Sequence, residues 1–330
     1  MKVLVTGATG FLGRSIVRRL LDDGFTVRAL VRPGRQLDLA GVEWVEGDVC
    51  DDASVRSAVS GVEGVVHAAA RVDTKGRWEE FAEANIRGTR RVIRAAQEAG
   101  AKAIVHISSL SVYAVAVDGV TITEESAYES ESDSRGHYSR SKLAADRIAL
   151  AEAGRGAPVV VLRPGLLYGP GKRPPVARQS FDVAGRKLIL ATPNYTLPMT
   201  YTDNVADAVA LALRQSDARG LPFTLVDENV RQSHYVELFR RASGETWRPM
   251  FLPVDLVATG ALVLEKALRL ARRRSPITYH QVKRATRAAW YDCSRAERVL
   301  GWHPSVTVAE GLQRAFASLQ YSNGGGTLSV

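Results

Sequence analysis

Three glycines, Gly7, Gly10 and Gly13, separate the apolar run Lys2–Thr6 from Phe11–Asp23, where Leu12, Ile16 and Leu20 recur at helical spacing. A glycine turn between a strand and a helix, this early in the chain, restricts the folds open to the rest. Glycine permits the tight turn and lets the backbone approach a ligand closely. The helix N-terminus adds N–H donors and the positive end of its dipole. The pattern predicts a strand–turn–helix cradling a pyrophosphate, with Gly7, Thr9, Gly10, Phe11, Leu12 and Gly13 around it.

Beyond this helix the chain keeps alternating. Strand patterns at Thr26–Val31, Glu43–Val45, Gly64–Ala69, Ala103–Ser108 and Pro158–Leu162 are interleaved with helical ones at Trp78–Ala99 and His137–Ala153. Such alternation implies right-handed crossovers and a parallel sheet with helices on both faces, an α/β doubly wound architecture. The runs Val65-Val66 and Ile104–Ile107 suit strands buried on both sides. After Gly169 the pattern loosens, and Pro170–Pro198 holds five prolines. The expectation is a dinucleotide-binding unit over residues 1–169, completed by about 201–227 through a helix at Val205–Leu213 and a strand at Phe223–Val226. Residues 170–200 and 228–321 would form a smaller substrate lobe, and 322–330 a flexible tail. Glu124–Asp133 reads as an acidic surface loop.

At the end of the second strand a carboxylate would bind the ribose hydroxyls of NAD(H). The sequence there reads Leu30-Val31-Arg32-Pro33-Gly34-Arg35. A guanidinium at that place pairs with a 2′-phosphate, so Arg32 predicts a preference for NADP(H), with NAD(H) as the alternative.

Tyr138 and Lys142 lie four apart on a helix and share one face. A tyrosine alone titrates near 10. A neighbouring ammonium favours its phenolate, and the phenol can then exchange a proton with a substrate oxygen. Ser108 and Ser109 close a strand at the carboxyl edge of the sheet, where a hydroxyl can hold a carbonyl oxygen. On their own these pairs also suit an exposed helix face and a capped turn.

Composition narrows the alternatives. Two cysteines, Cys50 and Cys293, make neither a disulfide framework nor a metal spacing, so no metal is expected. The N-terminal residues lack the apolar stretch of a signal peptide, and a cytoplasmic enzyme is the expectation. The net charge of +9 is uneven: nine Lys/Arg stand between Arg269 and Arg298 against Asp292 and Glu297. That stretch reads first as a solvated basic face. An anionic partner is the other reading, and no aromatic interleaving supports nucleic acid. Leu256–Leu270, followed by Arg272-Arg273-Arg274, predicts an amphipathic helix. A cap over the substrate pocket or a dimer contact is favoured for it over a membrane surface.

Taken together, the segments TGATGFLG (Thr6–Gly13), GDV (Gly47–Val49), HAAA (His67–Ala70), NIRGT (Asn85–Thr89), SSLSVY (Ser108–Tyr113), YSRSK (Tyr138–Lys142), RPGLLYGPG (Arg163–Gly171) and YTDNVADA (Tyr201–Ala208) resemble an extended short-chain dehydrogenase/reductase. LGWHPSVTVAEGL at Leu300–Leu312 is similar to that family's closing segment, so the resemblance covers nearly the whole chain. It implies a Rossmann fold and a homodimer acting on a small-molecule substrate. It places Asp48 and Val49 at the adenine, Ala68, Ala69 and Ser108 along the cofactor, and Pro164 near the nicotinamide. It implies Ser109, Tyr138 and Lys142 as catalytic, with Asn85 supporting the lysine.

Relatives acting on nucleotide sugars carry an Asn and an Arg for the substrate's phosphates. The matching positions here are Leu166 and Leu197, expected in the substrate pocket. Two apolar residues leave a diphosphate poorly compensated, although Arg173, Arg178, Arg186 and Lys187 stand elsewhere in the lobe. The RPxxxYGP form is similar to the 3β-hydroxysteroid dehydrogenase and dihydroflavonol reductase branches. A reductase of an apolar ketone is therefore the favoured expectation. A nucleotide-sugar epimerase or reductase is the alternative, and a non-catalytic sensor that binds NAD(P) is a third.

Overall fold

A computed structural model of the chain describes all residues except 38, 74–75, 115–118, 131–135, 177–179, 184–185, 190–194, 271–274, 276–278, 280–281, 283–288 and 325–330. Arg178 and the triplet Arg272–Arg274 therefore lie outside the described residues, as do the last part of the acidic loop and of the C-terminal tail.

The first half follows the alternation in the sequence: β1 (Lys2–Thr6), α1 (Phe11–Asp22), β2 (Thr26–Val31), β3 (Val42–Glu46), α2 (Asp52–Val59) and β4 (Gly64–His67). Next come α3 (Trp78–Phe81), α4 (Gly88–Glu98), β5 (Ala103–Ile107), β6 (Thr121–Ile122), α5 (Gly136–Ala153) and β7 (Val159–Pro164). The strand expected over Gly64–Ala69 ends at His67, because Ala68 turns away from the sheet toward the glycine turn. The helix expected over Trp78–Ala99 contains a π-helical turn, Ala82–Arg87, between α3 and α4.

Seven strands form one sheet in the order β12-β7-β5-β4-β1-β2-β3, where β12 is Pro222–Leu225. Every pairing in it is parallel. Strand order reverses between β1 and β4, the crevice where open α/β sheets take ligands. Side chains alternate strictly between the layers. Val3, Val5, Val105 and Leu162 join the core under α1 and α6 (Thr202–Arg214). Leu4, Ile104 and Val161 join the core under α2, α4 and α5.

A second core lies beyond Pro164. It gathers β8 (Leu166–Tyr168), β11 (Thr196–Tyr201) and β13 (Glu228–Arg231) as a three-stranded sheet, packed by α7 (Gln232–Ser243) and α9 (Val308–Gly324). Tyr168, Tyr201, Tyr235, Phe239 and Phe316 fill it. A further small sheet joins β9 (Ser180–Val183) and β10 (Arg186–Ile189) to β14 (Arg248–Phe251), which leads to α8 (Val254–Leu270). A two-stranded pair links β15 (Trp290–Tyr291) with β6. The tail expected from Ser322 is helical as far as Gly324.

The closing segment Leu300–Leu312 is anchored by Trp302, fully buried in the main core. Its indole N–H donates to the Asn204 carbonyl at 2.8 Å. The Asn204 side chain in turn accepts from the Val306 N–H and donates to the Val306 carbonyl. Deleting so large a side chain from a closed core removes about 3–5 kcal/mol. Urea unfolding of Trp302→Ala is expected to show a loss of that size, and a loss under about 1 kcal/mol would deny Trp302 this anchoring part.

Candidate active site

The glycine turn is built on contacts that no side chain could share. Gly7 has a φ of +73°, and a Cβ there would lie 2.7 Å from the Ala69 nitrogen. A Cβ on Gly13 would sit 2.0 Å from the Gly7 carbonyl oxygen. The first turn of α1 is thus stacked on the end of β1, with the backbone of Ala68 and Ala69 pressed against it. No side chain caps the N-terminus of α1, so its N–H groups remain available to an anion.

From this turn a cleft of about 1250 Å³ crosses the carboxyl edge of the sheet to α5. Gly7, Thr9, Gly10, Phe11, Leu12, Gly13, Arg32, Asp48, Val49, Ala68, Ala69, Ser108, Ser109, Tyr138, Lys142, Pro164 and Leu166 all line it. Its length, its glycine floor and the donors at α1 fit a dinucleotide with room beside it for a substrate. At the far end of β2 the exposed Arg32 lines the wall, and the Asp48 carboxylate accepts the Cys50 N–H at 2.8 Å.

Two residues singled out in the sequence stand off the wall. Leu197 is fully buried on β11, a strand buried along its whole length, and belongs to the second core instead of the expected substrate pocket. Asn85 lies on the π-helical turn, and its amide does not reach Lys142 directly. It accepts from the Arg71 N–H at 2.7 Å and donates to the Arg71 carbonyl and the Ser141 hydroxyl at 3.0 and 2.8 Å. It thereby joins the β4 turn to the residue beside Lys142.

Tyr138 and Lys142 occupy the first turns of α5, facing Ser109 at the end of β5. Lys142 is buried, and its ammonium donates to the Ile107 carbonyl at 2.6 Å. Burial pushes it down to about 8, while the Asp146 carboxylate one turn along α5 pulls it up. Burial raises the Tyr138 phenol, and a hydrogen bond with Ser109 works against that rise. Desolvation, then, governs the phenol in this state more than the lysine charge that the sequence suggested. Ser109 Oγ also accepts the Ser111 N–H at 3.1 Å, which fixes the turn after β5.

Beneath this wall lies a polar network that the motifs alone did not reveal. Arg163, fully buried at the end of β7, binds both carboxylate oxygens of the fully buried Asp146, at 3.0 and 2.7 Å. It also donates to the Tyr113 and Tyr128 hydroxyls, and Ser108 donates to Asp146 at 2.5 Å. The readable signal was Asp146 itself, an acid four residues after Lys142 on the same helix face. Behind β4, His67 bridges the Thr6 and Thr89 hydroxyls and stacks on His106. Burial, with the Lys142 charge added, lowers both imidazoles, His67 to about 3. The cleft also takes in residues that no motif singles out for it: Arg71, Val72, Glu83, Arg87 and Lys172, with the Lys172 ammonium over the Phe11 ring.

Comparison with known proteins agrees with this geometry. The model for the NAD dependent epimerase/dehydratase family matches residues 3–224. The chain is 31% identical to sterol demethylase protein B of Methylococcus capsulatus, over 94% of this chain and 95% of that one. It is 30% identical to the 2-alkyl-3-oxoalkanoate reductase of Stenotrophomonas maltophilia, over 96% and 99%. Among solved structures, gox2253 superposes with a TM-score of 0.82 at 25% identity, covering 97% of this chain and 98% of that one. On sheet order, glycine turn and whole-length similarity, the chain belongs to the NAD dependent epimerase/dehydratase family and is one of its oxidoreductases.

Proposed function

We propose that the protein is an NADP(H)-dependent reductase of a small, largely apolar ketone, able to oxidise the corresponding alcohol in reverse. The observation that carries this reading is the convergence of Ser109, Tyr138 and Lys142 on one wall of a cleft that starts at the glycine turn. When bound, the cofactor supplies the hydride that reaches the carbonyl carbon. Ser109 donates a hydrogen bond to the carbonyl oxygen and Tyr138 delivers the proton that completes the alcohol. Lys142 stabilises the phenolate left behind and reaches toward the ribose. Asn85 is a positioning residue that acts through Ser141. Pro164, Leu166 and Leu167 give the substrate end an apolar wall. Two relatives named for reductase or sterol chemistry, aligned over their whole lengths, support the substrate class. The nucleotide-sugar reading draws on Arg71 and Lys172 in the cleft, and it loses one objection because Leu197 does not face the ligand.

Tyr138→Phe is expected to lower ketone reduction by about 10³-fold while NADPH binding, followed by fluorescence, stays unchanged. Full turnover in this variant would reject the mechanism. Arg32 is expected to make the Kd for NADPH about tenfold lower than that for NADH, and Arg32→Glu to reverse the order. An NADH preference in the wild type would exclude the 2′-phosphate role. A third test comes from Asp146, which raises the Lys142 pKa. Reduction needs the ammonium, so the rate falls as pH rises through the lysine's pKa. Asp146→Asn lowers that pKa, and the alkaline limb of kcat/KM should move to lower pH. An unmoved limb in a folded variant would show that Asp146 does not tune the lysine.

A further inference from the structure

Helix α8 is apolar on two opposite sides. Val254, Ala258 and Ala261 form its buried side and pack with Val282. On the other side Leu256, Gly260, Val263, Ala267 and Leu270 succeed one another at steps of four and three residues, the spacing of a single helix stripe, with Leu264 beside them. All six are exposed. Leu256 is 69% exposed, Val263 63% and Leu270 88%. Among the described residues, nine large apolar side chains stand exposed and four of them sit on this helix, so the stripe is not the usual scatter of surface apolar residues. It runs about 21 Å, yet no helix among the described residues is long and apolar enough to cross a membrane.

Charge decides what such a stripe fits. Asp255, Lys266 and Arg269 lie along one edge of it and Glu265 lies toward the buried side, so the helix itself carries two acids against two bases. From Lys266 to Trp290 the sequence carries eight Lys/Arg and no Asp or Glu. In sequence, so basic a stretch repels a second copy of itself. An anionic lipid surface turns the same charges into attraction. Apolar residues over cations, on a helix too short and too polar to span, describe a helix lying in the plane of an interface.

We propose that the Leu256–Leu270 face of α8 lies on an anionic phospholipid surface, with the stripe among the acyl chains and Lys266 and Arg269 at the headgroups. This does not depend on the chemistry assigned to Tyr138. The exposed stripe departs from the pocket-cap reading, and the basic stretch that follows it favours lipid over the dimer contact that the sequence also offered.

The test is flotation of the full chain with vesicles of phosphatidylcholine and phosphatidylglycerol, in about a three-to-one ratio, against phosphatidylcholine alone. The wild type is expected to float with the anionic vesicles only, and less so as salt rises. Val263→Gln with Leu270→Gln should weaken partition about tenfold or more. Lys266→Glu with Arg269→Glu, a pair that alters no large apolar side chain, should abolish the preference for anionic lipid. Unchanged thermal unfolding and NADPH binding would show that both variants remain folded. A wild type that does not float with phosphatidylglycerol overturns the proposal. So does a glutamine pair that floats like the wild type, or a dimer in sedimentation equilibrium that the glutamine pair dissociates.

Discussion

The buried ion pair between Arg163 and Asp146 is the interaction on which the active-site wall depends. Two charges taken wholly out of water are penalised by several kcal/mol each, and only close geometry with further hydrogen bonds offsets this. Here the guanidinium meets the carboxylate through two nitrogens, and Tyr113, Tyr128 and Ser108 use the remaining hydrogen-bonding capacity. The partners come from separate places: the end of β7, the middle of α5, the end of β5 and the segment after it. One ion pair therefore fixes how α5, with Tyr138 and Lys142, sits against the serines that close β5. Loss of either partner would leave a charge stranded in the core, which gives this arrangement little freedom to relax.

The opposite wall is fixed by absence of side chains. Gly7 and Gly13 bring β1, the turn after β4 and α1 closer than any Cβ allows. The reversal of strand order between β1 and β4 opens the crevice at that point. An anion there meets uncapped N–H groups, and a ligand extending from it has only one way to run, across β4 and β5 to α5. Burial by tyrosines and phenylalanines in the second core then supplies the far rim, where Leu166 stands.

Much of this was readable from residue order. β1 and β2 have the bounds their apolar runs indicate, because central parallel strands are buried on both faces and leave an uninterrupted signal. The glycine turn was readable because its spacing is a steric requirement. The region from Pro170 to Pro198 was not. Its short strands belong to two small sheets, and β11 is buried throughout instead of alternating. That is also why Leu197 was assigned to a pocket and lies in a core. The π-helical turn at Ala82–Arg87 was not readable, because no glycine or proline within it marks the break in an otherwise continuous helical stretch. Asn85 was recognisable as important, but its partners, Arg71 and Ser141, are set by tertiary approach.

The electrostatics of the wall show why burial and charge must be read together. Burial favours neutral forms, so it raises the Tyr138 phenol and lowers the Lys142 ammonium. Taken alone, that would keep the tyrosine protonated and weaken the lysine's hold on its proton. Asp146 opposes the second effect and leaves the first alone. The result is a phenol that holds its proton beside a lysine kept cationic, a state poised to favour proton release once an oxygen with growing negative charge arrives within reach of Ser109 and Tyr138. The ion pair below the wall thus serves placement and proton affinity at once: Arg163 orients Asp146, and Asp146 offsets part of the effect of burial on Lys142.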